Sequence, residues 1–332
     1  MYNPLIGTTF LMSSILTPLN DIYPGGQNIL FEIKPEGIIV TGGYDIKIDD
    51  GIYNPLKHSD ISIGDIIIEI DNKPINSIKE FTGSLESDSR KDSYDLTIKR
   101  DKSKIHRKLK VYKINKQIKS GLYVKERVLG VGTLTFIDTD NNIYGALGHE
   151  VIDSNSSTMI DVNSGSIYEE DVIKISKGEN GNPGEKTSKT TFSNRVGTIF
   201  TNTEYGIFGY ANNQINTSYS IELAKPEEVK LGKATILTCI EGDKIEEFEI
   251  EITSLKKQTT QSLKGICFKI VDKRLLNKTG GVFSGMSGSP IIQNNKLVGA
   301  VTHVIVDDIK SGYGVYIQYM YEEAVESLNK VS

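Results

Sequence analysis

A glycine-rich stretch near the C-terminus constrains this chain more than any other part of it. Residues 280–292 read GGVFSGMSGSPII, in which glycines and serines are interleaved and a strand-like run follows at once. Glycine allows sharp backbone turns and the close approach of another molecule. A serine on such a turn, with backbone N–H groups beside it, has the geometry of an acyl-transfer nucleophile. The same residues also fit a glycine-rich hairpin with polar filler, so the remainder of the chain has to discriminate between these two interpretations.

The composition indicates a globular, strand-rich protein. At 332 residues the chain is long enough for two domains, and Val, Ile, Thr and Tyr are plentiful. The net charge of −5 gives no support to nucleic acid as a partner. Cys239 and Cys267 each lie in an apolar run and are expected to be buried free thiols, although a disulfide between them stays open. The sequence has no metal-ligand cluster and no phosphate-binding glycine motif, so we expect no cofactor and no metal site.

The N-terminal segment, residues 1–27, leaves its role open. Leu5 to Leu16 is mildly apolar but shorter than the roughly 20 residues that a membrane-spanning helix needs. No Lys or Arg precedes Lys34, so the basic region of a signal peptide is missing. A remnant anchor, a buried strand and a segment packed on a domain all fit this pattern.

Residues 28–113 form a first unit that mixes strands with one helix. Strands are predicted at Asn28–Ile33, at Gly37–Thr41 and, after the Gly64-Asp65 turn, at Ile66–Ile70. Residues 76–87 fit an amphipathic helix that Asn76 could cap, and two further strands follow it.

The run DISIGDIIIEIDNKPINS, followed by one helix and two strands, resembles a PDZ domain of the kind attached to bacterial proteases. The resemblance implies that an extended peptide adds to a sheet edge, in a groove between the strand Gly37–Thr41 and the helix from Ser77 to Leu85. A generic α/β domain without a ligand is the alternative interpretation.

Residues 114–126 are polar and basic and are predicted to be a linker to a second β-rich unit, residues 127–332. That unit opens with a hairpin, in which Val131–Ile137 and Ile143–Leu147 are joined by a polar turn. Further short strand-like runs at regular spacing predict a barrel or sandwich. The loop Lys177–Thr190 is predicted to be mobile, and the chain is predicted to end in a helix from Tyr319 to Val331.

A serine nucleophile needs a base, and the chain has four histidines. Two of them, His58 and His106, lie in polar runs and are expected to be solvated. His149 follows the second hairpin strand directly, where a side chain can project from a sheet into a cleft; alone it would more often be structural. His303 lies on the strand after the serine stretch and is predicted to be a structural or substrate-strand residue.

The third catalytic group should be a carboxylate that orients the base. Asp272 ends a predicted strand 15 residues before Ser287, where it could face a cleft. Asp153 lies closer to His149 but is expected to cap the following segment. The pair Asp307 and Asp308 is a weaker alternative.

The serine stretch resembles the nucleophile motif of chymotrypsin-like serine peptidases. The motifs GHEVID, VDKRLLNKTGG, GMSGSPIIQNNKLVGAVTHV and SGYGVYI, in this order, resemble the stage IV sporulation protein B (SpoIVB) peptidase family. The resemblance implies His149 as general base, Asp272 as its orienting group and Ser287 as nucleophile. It also implies an oxyanion hole formed by the backbone N–H groups of Gly285 and Ser287, and a substrate-binding strand that includes the candidates Val301, Thr302 and His303.

The implied fold is mainly β, a PDZ-like domain followed by a chymotrypsin-like double β-barrel. The implied activity is that of a serine endopeptidase in sporulation signalling, with autoproteolysis and cleavage of a membrane-protein regulator of sigma-factor processing. The PDZ ligand would be a peptide, including the protein's own N-terminal region. The family's location is secreted or membrane-associated, between the forespore membranes; the weak N-terminal anchor departs from it, and a cytoplasmic location stays open.

Two further readings remain. A catalytically inactive PDZ scaffold would bind peptides without reacting with a serine-directed probe. A structural spore-coat protein would neither react nor bind peptides.

Overall fold

The computed structural model describes residues 22–331, except 89, 102, 213–218 and 257–261. The N-terminal strands are β1 (Ile22–Pro24), β2 (Asn28–Lys34), β3 (Ile38–Gly43), β4 (Ile46–Ile48), β5 (Gly51–Tyr53), β6 (Ile66–Ile70), β7 (Lys73–Pro74), β8 (Ser93–Arg100), β9 (Ser103–Lys110), β10 (Tyr112–Ile114), β11 (Gln117–Lys119) and β12 (Leu122–Lys125). The C-terminal strands are β13 (Val128–Asp138), β14 (Ile143–Ala146), β15 (Ser164–Ser176), β16 (Gly184–Thr198), β17 (Thr201–Thr203), β18 (Gly206–Tyr210), β19 (Glu222–Leu223), β20 (Gly232–Cys239), β21 (Ile245–Leu255), β22 (Ile266–Ile270), β23 (Phe283–Ser284), β24 (Pro290–Gln293), β25 (Lys296–Val304) and β26 (Ser311–Tyr316). The helices are α1 (Pro55–His58), α2 (Ile78–Glu86), α3 (Lys273–Thr279) and α4 (Ile317–Val331).

A first barrel is formed by the strand order β18-β14-β13-β2-β15-β16. Its ends meet where Gly197 on β16 bridges Ala211, directly after β18, and where the Asn212 N–H donates to the Val196 carbonyl. The predicted hairpin of β13 and β14 is confirmed as part of this barrel. Apolar side chains alternate inward along its strands and fill it.

A second barrel has the order β25-β24-β20-β21-β22-β26 and closes through the pairing of β26 with β25. Its interior is apolar, with Phe248, Phe268 and Met286 fully buried. The C-terminal helix α4 packs on β25, β26 and β14, so it joins the two barrels. The prediction of a mainly β fold with a chymotrypsin-like double barrel is confirmed.

The PDZ domain contains a sheet of order β12-β3-β6-β8-β9, with α2 packed against it. Helix α2 begins after Ser77, whose hydroxyl accepts a hydrogen bond from the Glu80 N–H, and not after Asn76 as the sequence suggested. Phe81 and Leu85 on the inner face of α2 are buried in the domain core.

The limits of the PDZ domain differ from the prediction at both ends. Strand β2, predicted as its first strand, lies between β13 and β15 of the first barrel. Strand β12, predicted as linker, pairs with β3 and forms the edge of the PDZ sheet. This domain is therefore inserted between two neighbouring strands of the first barrel. The sequence missed this because local strand patterns show that a segment is extended but not which sheet it joins.

The segment predicted to be a mobile loop is largely strand. Residues 184–190 belong to β16, which pairs with β15 as a long hairpin, so the connection between these strands is only 177–183. Of the N-terminal segment, residues 1–21 lie outside the described part, and β1 pairs with β13. Among the residues described, no helix is long and apolar enough to span a membrane.

Candidate active site

The serine turn is held between the two barrels by hydrogen bonds. The Thr133 N–H on β13 donates to the Ser287 carbonyl at 2.9 Å. On the other side, the Gly288 N–H donates to the Val301 carbonyl at 2.7 Å, and the Val301 N–H donates to the Ser289 carbonyl at 2.9 Å. The turn that carries Ser287 is thus anchored to one strand of each barrel.

The backbone of this turn leaves a donor beside the serine. The N–H groups of Met286, Gly288 and Ser289 form hydrogen bonds within the turn or to β25. Within the described part of the chain, no hydrogen bond uses the Ser287 N–H. The Gly285 carbonyl accepts a hydrogen bond from the Thr133 hydroxyl at 2.9 Å. An unused N–H beside the serine is what an oxyanion hole requires.

The turn before His149 packs directly against the serine turn. Leu147 (φ 73°) and Gly148 (φ 72°) both adopt left-handed backbone, so the chain leaves β14 sharply. A Cβ on Gly288 would lie 2.5 Å from the Leu147 nitrogen, and one on Gly148 would lie 3.2 Å from Thr302 Cγ2. The structure therefore brings His149 and Ser287 to the same cleft.

The hydrogen bonding of His149 defines its tautomer. Its Nδ1 lies 2.8 Å from the main-chain carbonyl oxygen of Glu150. A carbonyl oxygen can only accept, so Nδ1 carries the proton and Nε2 keeps a free lone pair. Burial lowers the pKa of His149 below 6.5, and the neighbouring Glu150 offsets only part of this effect. The imidazole is therefore neutral at pH 7, as a general base must be.

The substrate-strand candidates lie on β25 beside the serine turn, where Val301 and Thr302 are buried. The Ser287 hydroxyl donates to the Thr302 carbonyl at 3.0 Å, and Val301 pairs with the serine turn as described. The rings of His303 and His149 have centroids 5.2 Å apart. His303 Nδ1 is buried, with no hydrogen-bond partner within the described residues. Burial is the main cause of the lowered pKa of His303, and the nearby His149 lowers it as well.

Asp272 is not brought to His149. Its carboxylate caps α3, accepting hydrogen bonds from the Arg274 N–H at 2.8 Å and the Leu275 N–H at 3.1 Å. Burial raises the pKa of Asp272, but the hydrogen bonds from these two N–H groups and the charge of Arg274 together lower it by more, so the net shift is downward. No described hydrogen bond or ion pair joins it to His149. The geometry supports a helix cap in place of the predicted orienting role, because a carboxylate that ends a strand before a helix finds free N–H groups there.

The strand register indicates where Asp272 lies relative to His303. Cys267 and His303 both pair with Tyr313, which places them at the same level of the barrel. Asp272 lies five residues beyond Cys267 and two residues beyond the end of β22, so it is displaced along the chain from that level.

Asp153 has the capping role that the sequence predicts for it. One of its oxygens accepts hydrogen bonds from the Asn155 and Ser156 N–H groups, each at 2.9 Å. The other faces Lys125 of β12 in an ion pair between the PDZ sheet and the first barrel.

Sequence reasoning missed three residues around the cleft. Glu150 supplies the carbonyl that orients His149, and its carboxylate has a buried oxygen without a described partner. Thr133 and Lys186 both contact the Gly285 carbonyl from the first barrel. Glu150 could have been noted because it adjoins His149, but neither Thr133 nor Lys186 carries a sequence signal.

Two cavities of the structure lie away from the two catalytic candidates. Two open cavities of about 790 and 850 Å³ are on the second barrel, and neither is lined by His149 or Ser287. The site is thus defined by the two turns that meet between the barrels. In the part of the chain described, no group of three or more His, Cys, Asp or Glu could hold a metal ion.

Comparison with known proteins identifies the family of the chain. Residues 116–321, more than half of the chain, match the family model SpoIVB peptidase S55. The chain belongs to the SpoIVB peptidase S55 family. Residues 44–139 match the PDZ domain model, a range that reaches into β13 of the first barrel. This S55 peptidase is therefore a serine endopeptidase with a PDZ domain.

Solved structures similar to this S55 peptidase include the Rv3671c protease from M. tuberculosis in its active form. That chain is 13% identical, with 60% of this chain and 74% of that chain covered and a TM-score of 0.35. For the inactive form the values are 13%, 61% and 84%, with a TM-score of 0.31. At such TM-scores the likeness adds nothing to the fold, which follows from the strand pairing. No curated protein matches the chain.

Proposed function

We propose that this S55 peptidase hydrolyses peptide bonds through an acyl-enzyme, with Ser287 as nucleophile and His149 as general base. The single observation that carries the proposal is the packing of the His149 turn against the Ser287 turn. In the structure the Ser287 hydroxyl donates to the Thr302 carbonyl, so the proposed mechanism requires this hydroxyl to rotate and form a hydrogen bond with His149 instead. Catalytic hydrogen bonds in structures without substrate are often not yet formed.

In this mechanism the Ser287 oxygen attacks the substrate carbonyl and His149 Nε2 takes the hydroxyl proton. The Glu150 carbonyl keeps the proton on Nδ1, so the imidazole presents the correct nitrogen. The backbone N–H groups of Gly285 and Ser287 would bind the developing oxyanion. His149 then gives its proton to the leaving amine, and water hydrolyses the acyl-enzyme by the same steps in reverse.

We further propose a role in sporulation signalling, supported by family membership. The peptidase would cleave itself and a membrane-protein regulator of sigma-factor processing, while secreted or membrane-associated between the forespore membranes. Incubating the purified protein, or its Ser287→Ala variant, with the candidate regulator tests this part. Cleavage of the regulator by the variant would contradict it.

For the PDZ domain we propose a peptide ligand that adds as a strand to β12. This strand ends the PDZ sheet, so its outer edge is available, whereas the predicted groove strand β3 already pairs with β12. Glu126, directly after β12, accepts a hydrogen bond from the Ile78 N–H at the start of α2, so strand edge and helix lie side by side. The ligand candidates are partner proteins and the peptidase's own N-terminal region.

A fluorophosphonate probe tests the catalytic proposal directly. We expect it to label the wild type at Ser287, and we expect Ser287→Ala and His149→Ala to lose both labelling and peptide hydrolysis. Ser289→Ala is a matched control, because Ser289 lies in the same turn and its hydroxyl is buried without a described partner. Hydrolysis by Ser287→Ala at the wild-type rate would overturn the assignment, and an unlabelled wild type that binds peptides would indicate an inactive scaffold.

A further inference from the structure

A lysine is buried directly beneath the serine turn. Lys186 on β16 is only 6% exposed. Its Nζ donates to the Asn28 side-chain oxygen at 2.5 Å and lies 3.4 Å from the Gly285 carbonyl oxygen. Burying an ammonium group is costly unless it is well paired, and such groups are rarely kept without a role.

The charged and titratable groups around Lys186 do not neutralise it. Glu170 on β15 attracts the Lys186 ammonium through its charge, but the two form no described ion pair, and one Glu170 oxygen accepts a hydrogen bond from the Thr190 hydroxyl. Cys239 on β20 is the other titratable neighbour, and burial raises the pKa of its thiol to about 11, so it is uncharged. None of the ion pairs between described residues includes Lys186. Burial accordingly lowers the pKa of Lys186 to about 8.

The strand that carries Lys186 also holds the backbone that leads to the nucleophile. Gly184 and Glu185 pair in parallel with Phe283 and Ser284 of β23. The next residue, Gly285, has φ 103°, and a Cβ there would lie 2.7 Å from Lys186 Cε. Glycine is thus favoured by the left-handed backbone, and a side chain at this position would also crowd Lys186.

Two groups therefore converge on one peptide unit, and a third holds one of them. The Gly285 carbonyl receives the Thr133 hydroxyl at 2.9 Å and faces the Lys186 ammonium, which Asn28 holds in place. This carbonyl belongs to the peptide bond between Gly285 and Met286, one peptide unit before the bond that carries the Ser287 N–H. Its direction sets the orientation of the backbone on either side of it.

We propose that Lys186 is a positioning residue for the oxyanion hole. By holding the Gly285 carbonyl in the interior, Lys186 and Asn28 keep the Gly285 and Ser287 N–H groups directed at the cleft. Lys186 touches neither substrate nor nucleophile, so it acts through the turn. The inference rests on the proposed function, since it concerns the oxyanion hole of that same site.

The test compares Lys186→Met with Lys189→Met, an exposed lysine on the same strand. Hydrolysis of a fluorogenic peptide, chosen with the wild type, gives kcat and KM; a fluorophosphonate gives the maximal labelling rate at Ser287. Loss of one oxyanion donor costs about 100- to 1,000-fold in kcat. For a misdirected turn we expect a fall in kcat and labelling rate of about 10- to 100-fold, with KM nearly unchanged. Lys189→Met should match the wild type.

Asn28→Leu is the second variant, because it removes the acceptor that holds the ammonium. It should lower kcat in the same way, and adding it to Lys186→Met should cost little more, since both changes break one unit. Should either variant fold, shown by an unchanged far-UV circular dichroism spectrum, and keep the wild-type kcat, the inference is overturned. If instead the wild type itself is not labelled at Ser287, it is the proposed function that fails.

Discussion

The buried Lys186 makes the stability of the protein depend on pH in a way that one substitution can isolate. Burial lowers the pKa of Lys186 from its ordinary value of 10.5 to about 8. Below pH 8 the lysine is charged in both the folded and the unfolded chain, and burial of that charge destabilises the fold. Between pH 8 and 10.5 the folded chain releases the proton while the unfolded chain keeps it, so the free energy of unfolding rises with pH.

The size of the effect follows from the pKa difference. At 1.36 kcal/mol per pKa unit, it corresponds to about 3 kcal/mol, most of which is gained by pH 10. The Lys186→Met variant has no titrating group at this position, so it cannot gain this stability as the pH rises. We therefore expect the variant to equal or exceed the wild type in stability at pH 7 and to lose that advantage, by about 2 to 3 kcal/mol, at pH 10.

Chemical denaturation followed by far-UV circular dichroism measures this, because the chain has no tryptophan whose fluorescence could report unfolding. Lys189→Met serves as control, since its exposed lysine should give the same difference from the wild type at both pH values. A stability difference between wild type and Lys186→Met that is equal at pH 7 and pH 10 would refute the reasoning.

Two further predictions concern the catalytic groups. Asp272→Asn should keep nearly full activity and stability, because Asn caps helices as well as Asp, whereas Asp272→Ala should lose about 1 kcal/mol of stability; a fall in kcat on the order of 10⁴-fold for Asp272→Asn would show instead that its charge orients His149. Because burial lowers the pKa of His149 below 6.5, kcat/KM should fall only as the pH drops through a value below 6.5; a pH–rate profile with its acidic inflection above 7 would contradict this.

The sequence predicts those parts of the fold that depend on local patterns. The hairpin of β13 and β14, with a polar turn between alternating apolar runs, is found as predicted. The PDZ limits are not, because β2 is buried along most of its length and would look the same in either sheet. Which neighbours a strand pairs with is decided by contacts between residues far apart in sequence.

The predictions for the site residues also divide into those that local sequence supports and those that depend on contacts between distant residues. His149 and Ser287 could be found because each stands beside glycine at a strand end, and the structure brings their turns together. Asp272 also stands at a strand end, but the helix that follows offers it free N–H groups. Lys186 lies in a polar stretch and shows its role only once β16 is placed beneath the serine turn.

The insertion of the PDZ domain between β2 and β13 has a consequence for how the two modules communicate. A domain joined through a single flexible linker can move freely, whereas the PDZ domain is joined at both of its ends to adjacent strands of the first barrel. Strand β2 begins at Asn28, whose side chain contacts Lys186. Strand β13 carries Thr133, whose hydroxyl donates to the Gly285 carbonyl. Both strands therefore support the turn that carries the nucleophile. Truncating the chain at the boundary of the PDZ domain would therefore not give a minimal peptidase, because it would remove β2 from the barrel.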